Sequence, residues 1–570
     1  MSAQITNPQS GKKKKQWTLM FFFASDNTLS PSTLPQLKAI KAAGPSEHAN
    51  VLVYFDPNEM GAPTRVFEIN KGQESASTGN SGDPVISVLS SDQLNSNDLQ
   101  QGPGEETKKF AASLVNTDGL QAVDALEQYL GFCRETYPAE HYMLFLLGHG
   151  LVVGRDAFLP DDNPDSAIGL KTLGKILNEF KKKIGDGVLE LIGMHSCSMS
   201  AVEVAYELKG TAKYMLASQG LSFVGSWPYR QLLTKIYQDV AKDAVNVDHL
   251  VKSLHSLCIK YSVDFMHAGY SSDMCLCSLD PERITKLTGP ISDLAKALTD
   301  SVTDPRCRPL ILLAHLRSQS YWQETYSDLY DFCLCLRQLC EQPKKDGTDE
   351  KDAATFKNRE YDFKRFAIIN ACTSVMDTLK PENGSKGIGP IVCVDYVGPD
   401  VQYSHGLSIY FPWSRPREDE NDKVIENYGA YAFTEEFGDP LTWFKFLQTY
   451  FDKTERPDRA TEEQKSNEPN SKYREAGYTQ LLEVARASFP GDVATGIRDI
   501  YPTTVLEGKV TPPDSSGGAC SCASTKNYSR VFSMSPGVAP VFHNTTSTAA
   551  IAGGGADPAG GSADQTRQSR

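Results

Sequence analysis

A histidine and a cysteine each follow an apolar run, and together they have the chemistry of a nucleophile and its base. His149 stands in Gly148-His149-Gly150, directly after the apolar run 141–147, and Cys197 ends the stretch 187–197. A cysteine attacks as its thiolate, and an imidazole gains or loses a proton near neutral pH. The two residues are therefore candidates for covalent catalysis at a carbonyl carbon. The alternative is a buried thiol and a histidine in a turn.

Two features around this pair favour catalysis. Residues 198–208 have a helical pattern, so Cys197 would precede a helix N-terminus, where the dipole and free N–H groups stabilise an anion. Gly150 has no Cβ, so its N–H can approach a substrate carbonyl and form an oxyanion site with the N–H of Cys197. Cys197 follows His149 by 48 residues, close to the roughly 50 that separate the catalytic pair of caspases, although such spacings do not transfer between families.

The elements that carry this pair are predicted to be neighbouring parallel strands. Apolar runs of five to eight residues bounded by Gly are typical of buried parallel strands, and 17–24 and 50–56 form two more. A helix predicted at 170–183 gives the strand, crossover helix and strand of a right-handed unit. In open α/β sheets the chemistry gathers at the carboxyl ends of the strands. The fold class is therefore α/β, a mostly parallel sheet flanked by helices.

Composition along the chain predicts how the rest is organised. We expect a disordered tail at 1–16, a catalytic core at 17–240, a helical and strand extension at 241–451 that completes the unit, a linker with a short helix at 452–511, and a low-complexity, disordered tail at 512–570. Polar composition further predicts a long surface insertion at about 71–106, a loop at 155–169 and a charged linker at 343–358.

Overall composition excludes several classes of function. The formal charge of −14 over 570 residues argues against general nucleic-acid binding, which needs clustered basic surface. The 13 cysteines include no CxxC pair, which favours buried thiols and a reducing, cytoplasmic location over zinc or disulfides. Lys12–Lys15 and the apolar run after them resemble a signal peptide, but Ser25-Asp26-Asn27 follows instead of a cleavage site, so the run is predicted to be the first strand. No other stretch is long enough to span a membrane.

Neither a metal nor a cofactor is predicted. His267, His315 and His405 fall in different elements without ligand spacing. The acidic stretch 161–165 lacks the spacing of an EF-hand loop, so a solvated acidic loop is favoured over a calcium site. No Gly-rich nucleotide loop follows the first strand, and no G-x-S-x-G elbow of an α/β hydrolase is present.

Short motifs in a fixed order make the chain resemble the clostripain family of cysteine peptidases, in the clan that also holds caspases, gingipains, legumain and separase. The matching pieces cover most of 17 to about 450: Trp17-Thr-Leu-Met, Leu147-Gly-His-Gly150, Cys197, Ala201-Val-Glu-Val-Ala-Tyr-Glu-Leu208, Tyr214-Met-Leu-Ala-Ser218, Ser226-Trp-Pro-Tyr229, Tyr326-Ser-Asp-Leu-Tyr-Asp-Phe332, Gly406-Leu-Ser-Ile-Tyr-Phe-Pro412 and Trp443-Phe-Lys-Phe-Leu447. The resemblance implies a caspase-like sheet flanked by helices and a helical C-terminal part. It also implies a protein or peptide substrate, cleaved by Cys197 as nucleophile and His149 as base and acid.

The chain departs from the family where specificity is expected. Family members commonly place an Asp two residues before the nucleophile, where this chain has His195, and an acid often follows the Ser that ends the next strand, where Gln219 follows Ser218. Both changes remove a carboxylate partner for a basic P1 side chain, so strict Arg or Lys preference is predicted to be absent and neutral or acidic P1 residues are admitted. Ser218, Gln219 and Trp227 join His195 as candidate substrate-binding residues.

Three alternatives stay open for His195: it lines the substrate pocket, it is a second catalytic histidine, or it is a structural residue. For the whole chain, the rival hypothesis is a catalytically inactive relative that binds peptides or partner proteins, suggested by the changes at His195 and Gln219. Activation by cleavage between His149 and Cys197 is a further possibility, but Arg155 is the only basic residue in the loop at 155–166. Oligomeric state is left open.

Overall fold

A computed structural model of the chain describes residues 15–58, 64–69, 121–150, 158–162, 165–267, 273–321, 325–341, 356–381, 389–416, 424–435 and 442–454. The strands are β1 (Trp17–Ser25), β2 (Ala49–Pro57), β3 (Arg65–Glu68), β4 (His141–Leu147), β5 (Phe158–Asp162), β6 (Asp165–Ile168), β7 (Val188–His195), β8 (Tyr214–Ala217), β9 (Asp273–Ser278), β10 (Ser320–Tyr321), β11 (Tyr326–Asp328), β12 (Val392–Val397) and β13 (Ser408–Tyr410).

The helices of the described part alternate with these strands at first and dominate after residue 229. They are α1 (Ser30–Ala43), α2 (Ala122–Thr136), α3 (Leu170–Lys183), α4 (Val202–Glu207), α5 (Tyr229–Val240), α6 (Val247–His267), α7 (Pro281–Lys286), α8 (Thr288–Val302), α9 (Arg308–Arg317), α10 (Leu329–Glu341), α11 (Phe356–Leu379), α12 (Val424–Gly429), α13 (Ala432–Glu435) and α14 (Thr442–Thr454). Among these helices, none is both long enough and apolar enough to cross a membrane.

An eight-stranded sheet in the order β12-β9-β8-β7-β4-β1-β2-β3 forms the centre of the fold. The five strands from β8 to β2 are parallel, while β3, β9 and β12 run antiparallel to their neighbours. The central strands β1 and β4 are almost wholly buried, as expected for strands covered by helices on both faces. The prediction of a mostly parallel sheet flanked by helices is confirmed.

Aromatic side chains fill the layer between the sheet and its helices. Phe21 of β1 stacks on Phe145 of β4 with ring centroids 4.8 Å apart, and Phe22 stacks on Tyr54 of β2 at 4.4 Å. Side chains at paired positions of neighbouring strands lie on the same face, so the strand register brings these rings together. The core therefore fixes the register of β1, β2 and β4. That register sets the position, relative to the neighbouring strands, at which β4 ends.

The second half of the chain contributes to the same sheet and adds a smaller one. β9 and β12 extend the main sheet beyond β8, and β10, β11 and β13 form a three-stranded antiparallel sheet. Helices α8, α10, α11 and α14 pack in this region. The division at residue 240 into core and extension stays a prediction.

Several local predictions need correction. Within the segment 155–169, predicted as loop, residues 158–162 and 165–168 form the antiparallel strands β5 and β6. The charged linker predicted to 358 is shorter, because α11 begins at Phe356. The insertion at 71–106 and the segments 1–14, 455–511 and 512–570 lie outside the described residues.

Candidate active site

The strand register brings His149 and Cys197 to the same edge of the sheet. Leu147, the last residue of β4, pairs with His195, the last residue of β7, so each candidate follows its strand by two residues. The N–H of Gly148 donates to the carbonyl of His195 at 3.4 Å and extends the pairing beyond the strands. Both side chains are fully buried. The sequence prediction that the two residues share the carboxyl edge of a parallel sheet is thus matched by this register.

Gly150 packs directly on the peptide of Cys197. A Cβ added to Gly150 would lie 1.8 Å from the carbonyl oxygen of Cys197 and 2.7 Å from its nitrogen. Contacts this short exclude every residue except glycine unless the backbone moves. The two residues predicted to form the oxyanion site are therefore neighbours in space, and a glycine is required at position 150.

The sulfur of Cys197 is hydrogen-bonded to both backbone groups of one residue in a distant loop. The N–H of Ser222 donates to the Cys197 Sγ at 3.3 Å, and the thiol donates to the carbonyl of Ser222 at 3.7 Å. An N–H group that donates to sulfur favours the thiolate over the thiol. Ser222 was not predicted as a site residue, because its contribution is a backbone group that no residue type reveals.

His149 is a buried, neutral imidazole. Its Nε2 lies 3.3 Å from the Thr28 hydroxyl oxygen, and its Nδ1 has no hydrogen-bond partner in the described part of the chain. Burial lowers the pKa of His149 to about 3, so the ring is uncharged at neutral pH and can accept a proton. The carbonyl of His149 accepts the N–H of Leu159 at 3.2 Å, which anchors the turn to the hairpin β5–β6.

The turn after Cys197 is strained, and it replaces the predicted helix start. Ser198 has a φ of 56°, a left-handed backbone conformation that is energetically unfavourable for serine. Its N–H donates to the Gly220 carbonyl at 3.0 Å, and the N–H of Ser200 donates to the Ser218 carbonyl at 2.9 Å. The left-handed Ser198 and the extended Ala201 have no helical backbone conformation, so α4 begins only at Val202. The prediction that Cys197 directly precedes a helix is wrong, and the Ser222 N–H takes the place of the dipole.

Comparison with known proteins decides the family. The profile of the clostripain family matches residues 21–450, which is most of the chain. The chain belongs to the clostripain family. It is thus a cysteine peptidase, as the sequence motifs implied.

Individual relatives of this clostripain-family peptidase are distant. Clostripain of Hathewaya histolytica is 21% identical over 515 residues, which cover 79% of this chain and 90% of that protein. A secreted C11 cysteine protease from Bacteroides thetaiotaomicron, solved with an irreversible peptide inhibitor, is 14% identical, with 74% of this chain and 99% of that chain covered and a TM-score of 0.42. An inactive zymogen C11 protease from Parabacteroides distasonis is 17% identical, with 75% and 99% covered and a TM-score of 0.39.

In this clostripain-family chain, His195 is the last residue of β7, and both of its ring nitrogens form hydrogen bonds within the protein. Its Nε2 donates to the Phe223 carbonyl at 2.8 Å, its Nδ1 accepts the Tyr229 hydroxyl at 2.9 Å, and its ring stacks on Trp227 at 4.9 Å. Burial lowers the pKa of His195 to about 3. These contacts favour the structural alternative, while the pocket-lining role of His195 and Trp227 stays a prediction.

Gln219 connects the loop after β8 to the small sheet. Its Oε1 accepts the N–H of Gly406 at 3.0 Å, and its Nε2 donates to Asp328 at 2.9 Å. Its own N–H donates to Asp273 at 2.7 Å, and the residue is fully buried. The side-chain amide is thus engaged at both ends, although a substrate-binding role for Gln219 stays a prediction.

A narrow cleft opens beside Ser222 and contains Ser218, another candidate substrate-binding residue. The empty volume of the cleft is about 270 Å³, part of which is open to solvent. Its other walls come from Leu221, Ser226, Cys258, Ile259, Asp273, Met274 and Tyr396. The Asp273 carboxylate accepts the N–H groups of Gln219 and Gly220 at 2.7 and 2.9 Å. Burial raises the pKa of Asp273 to about 6. The carboxylate in this cleft therefore supports the loop that carries Ser218 and Ser222.

No cluster of three or more metal-ligating side chains occurs in the described ranges. The acidic residues of the β5–β6 hairpin include Asp162, whose pKa is raised to about 6 by burial and by the nearby carboxylates of Asp26 and Asp165. The eleven cysteines that the structure describes form no disulfide with one another.

Proposed function

We propose that the chain is an endopeptidase that cleaves peptide bonds through a Cys197–His149 dyad and an acyl-enzyme. One observation carries this proposal: Cys197 has its sulfur on the N–H of Ser222 and its peptide against Gly150. A sulfur nucleophile that accepts an N–H group, beside backbone N–H groups that can bind an oxyanion, is the arrangement that acyl transfer requires. The buried, neutral His149 is the proton carrier.

In the proposed reaction, the Cys197 thiol gives its proton to His149 and the sulfur attacks the substrate carbonyl carbon. The negative charge that develops on the carbonyl oxygen is stabilised by the N–H groups of Gly150 and Cys197. His149 then protonates the leaving amine, and the C–N bond breaks to give a thioester. Water attacks the thioester, His149 accepts the water proton and returns it to the sulfur, and the acid product leaves.

We also propose that the peptidase has no strict Arg or Lys preference at P1. His195 replaces the usual acid and uses both ring nitrogens within the protein. Gln219 replaces the second acid and is engaged by Gly406 and Asp328. In the described cleft, the Asp273 carboxylate is bound by two backbone N–H groups. A guanidinium would therefore find no carboxylate ready to pair with it, whereas neutral or acidic side chains lose nothing.

Peptide-library profiling of the purified protein tests the activity, with Cys197→Ala as the inactive control. We expect cleavage that is lost in Cys197→Ala and reduced by at least about 10²-fold in His149→Ala. An electrophilic peptide probe should label Cys197 in the wild type and fail to label it in His149→Ala. Absence of both cleavage and labelling under every condition would instead favour an inactive protein that binds peptides or partners.

The same library tests P1 specificity, and His195→Asp separates the alternatives for that residue. For a structural His195, the thermal midpoint falls and P1 preference stays the same, which is the result we expect from its contacts. A pocket residue would shift P1 preference towards Arg and Lys, and a second catalytic histidine would abolish turnover. Sole cleavage after Arg or Lys by the wild type would contradict the P1 proposal.

The cytoplasmic location stays a prediction.

A further inference from the structure

Glu203 is a buried carboxylate six residues after the nucleophile, in the first turn of α4. It is fully buried, and its Oε1 accepts the N–H of Tyr410 at 3.0 Å and the hydroxyl of Tyr428 at 2.8 Å. Its Oε2 is buried without a hydrogen-bond partner in the described part of the chain. Both donors lie more than 200 residues further along the chain. The carboxylate thus joins α4 to β13 and α12.

The segment between Cys197 and Glu203 is attached to the same strand at several further points. The carbonyl of Ser200 accepts the N–H of Ser408 at 3.0 Å, and the Ser200 hydroxyl donates to the Gly406 carbonyl at 2.6 Å. Ala201 forms an isolated parallel bridge with Ser408. Glu203 is the last of these attachments and the one made by an ionisable group.

A carboxylate in this position lowers the stability of the fold. Ion pairs within the described residues do not include Glu203, and its two hydrogen-bond donors, the N–H of Tyr410 and the hydroxyl of Tyr428, are neutral groups. Burial raises the pKa of Glu203 to about 7, although its hydrogen bonds oppose the shift. A buried charge without a counter-ion destabilises the fold, and a neutral amide of the same shape avoids that cost. A residue that is unfavourable for stability at this place suggests a role in function.

We propose that Glu203 is a positioning residue that holds the strained turn at Cys197 against β13. Two hydrogen bonds to one carboxylate oxygen are stronger than the same bonds to a neutral amide. They keep α4 in place, so Ser198 and Ser200 stay bonded to the loop at 218–220 and the sulfur stays on the N–H of Ser222. This inference rests on the proposed role of Cys197 as nucleophile.

Glu203→Gln tests the inference, because it keeps the shape and removes the charge. We expect kcat at pH 8 to fall by about tenfold with KM changed less than about twofold, since positioning affects the transition state more than substrate binding. The thermal midpoint at pH 8 should rise by about 2–4 °C, because the buried charge is removed. At pH 5, where Glu203 is protonated, the two midpoints should coincide.

Two further variants sharpen the experiment. Glu190→Gln is the matched control, since Glu190 is equally buried on β7 but lies at the opposite end of the sheet, paired with His141 and Lys213. It should lower the midpoint and leave kcat unchanged. Tyr428→Phe removes one of the two donors and should lower kcat by about threefold, with no further loss when it is combined with Glu203→Gln.

Alkylation of Cys197 by iodoacetamide, followed by mass spectrometry of the peptide that contains it, keeps this test separate from the test of peptidase activity. We expect slower alkylation in Glu203→Gln at pH 7, because a displaced sulfur loses the Ser222 N–H. If the wild type cleaves no peptide, the proposed function fails while the alkylation comparison still decides the role of Glu203. Wild-type kcat and alkylation rate in Glu203→Gln would overturn the inference, as would a joint fall of kcat and midpoint at pH 8.

Discussion

Backbone groups of three other residues surround Cys197, the proposed nucleophile. Its sulfur accepts the N–H of Ser222, its peptide lies on Gly150, and the next residue is held in a left-handed conformation by the Gly220 carbonyl. Backbone donors are fixed by the fold and need no reorganisation during the reaction. Substitutions that move the loop at 218–222 should therefore affect the chemistry even when they remove no reactive group.

Gly150→Ala is predicted to inactivate the enzyme. The added methyl would overlap the Cys197 carbonyl oxygen at 1.8 Å, so the two backbones must separate and the oxyanion site must open. We expect kcat/KM to fall by at least about 10²-fold, the usual effect of losing one oxyanion donor. Peptide cleavage by the purified variant measures this.

Gly131→Ala is the matched control for that substitution. Gly131 lies within α2, and an added Cβ there meets nothing within 4 Å. This change should leave activity intact and stabilise the protein by about 0.5–1 kcal/mol, because alanine favours the helix. Full activity in Gly150→Ala would show that its N–H does not contribute to the oxyanion site.

At the scale of elements, the loop at 218–222 is the junction between the two sheets. It follows β8 of the main sheet, and Gln219 binds Asp328, the last residue of β11, and Gly406, which precedes β13. The same loop supplies the carbonyls that hold Ser198 and Ser200. The small sheet therefore contributes to the position of Cys197 through this loop.

Gln219→Ala is predicted to lower stability rather than to change specificity. It would leave the Gly406 N–H without its acceptor, which costs about 1–3 kcal/mol, while the Asp328 carboxylate keeps the N–H groups of Asp331 and His405. Thermal unfolding measures the loss, and Gln238→Ala, on the exposed face of α5, is the control. A changed P1 profile with unchanged stability would instead support a substrate-binding role for Gln219.

The strands at the site were predictable because their sequences are unambiguous. The predicted strands at 17–24 and 50–56 lie within one residue of β1 and β2, and the stretch 187–197 contains β7, since each is a buried apolar run between breakers. The hairpin β5–β6 was missed because its polar sequence pairs through tertiary contacts, such as the bond from the Asp162 N–H to the Asp26 carbonyl. The start of α4 was missed because the carbonyls that take the N–H groups of Ser198 and Ser200 come from another loop.

At the scale of the whole molecule, residues far apart in sequence hold the candidate site together. Ser200 forms hydrogen bonds with Gly406 and with Ser408 of β13. At the end of β13, the carbonyl of Tyr410 accepts a hydrogen bond from the indole N–H of Trp443 in α14 at 3.1 Å. The helices that follow β13 thus support the strand that supports the nucleophile turn. Loss of packing near α14 should weaken the site as well as the fold.

His315 makes that packing sensitive to acid. It lies on α9, fully buried, with its ring between Phe411 at 3.9 Å and Trp413 at 4.0 Å, and its Nδ1 is 3.1 Å from the Tyr450 hydroxyl of α14. Burial lowers the pKa of His315 to about 3, whereas an unfolded histidine has a pKa of about 6.5. Between these values the unfolded chain binds the extra proton, so the stability that His315 contributes is complete above about pH 6.5 and is lost as pH falls towards 3.

His315→Phe should remove this acid sensitivity, because a phenyl ring keeps the stacking and cannot be protonated. Each pH unit below about 6.5 costs the wild type about 1.4 kcal/mol at this residue, so the variant should gain about 2 kcal/mol relative to the wild type between pH 6.5 and 5. Thermal midpoints of both proteins at pH 7 and pH 5 measure the difference, with the exposed His249→Gln as control. Parallel midpoint curves for the wild type and His315→Phe would mean that His315 takes up its proton without disturbing the contact between α9 and α14.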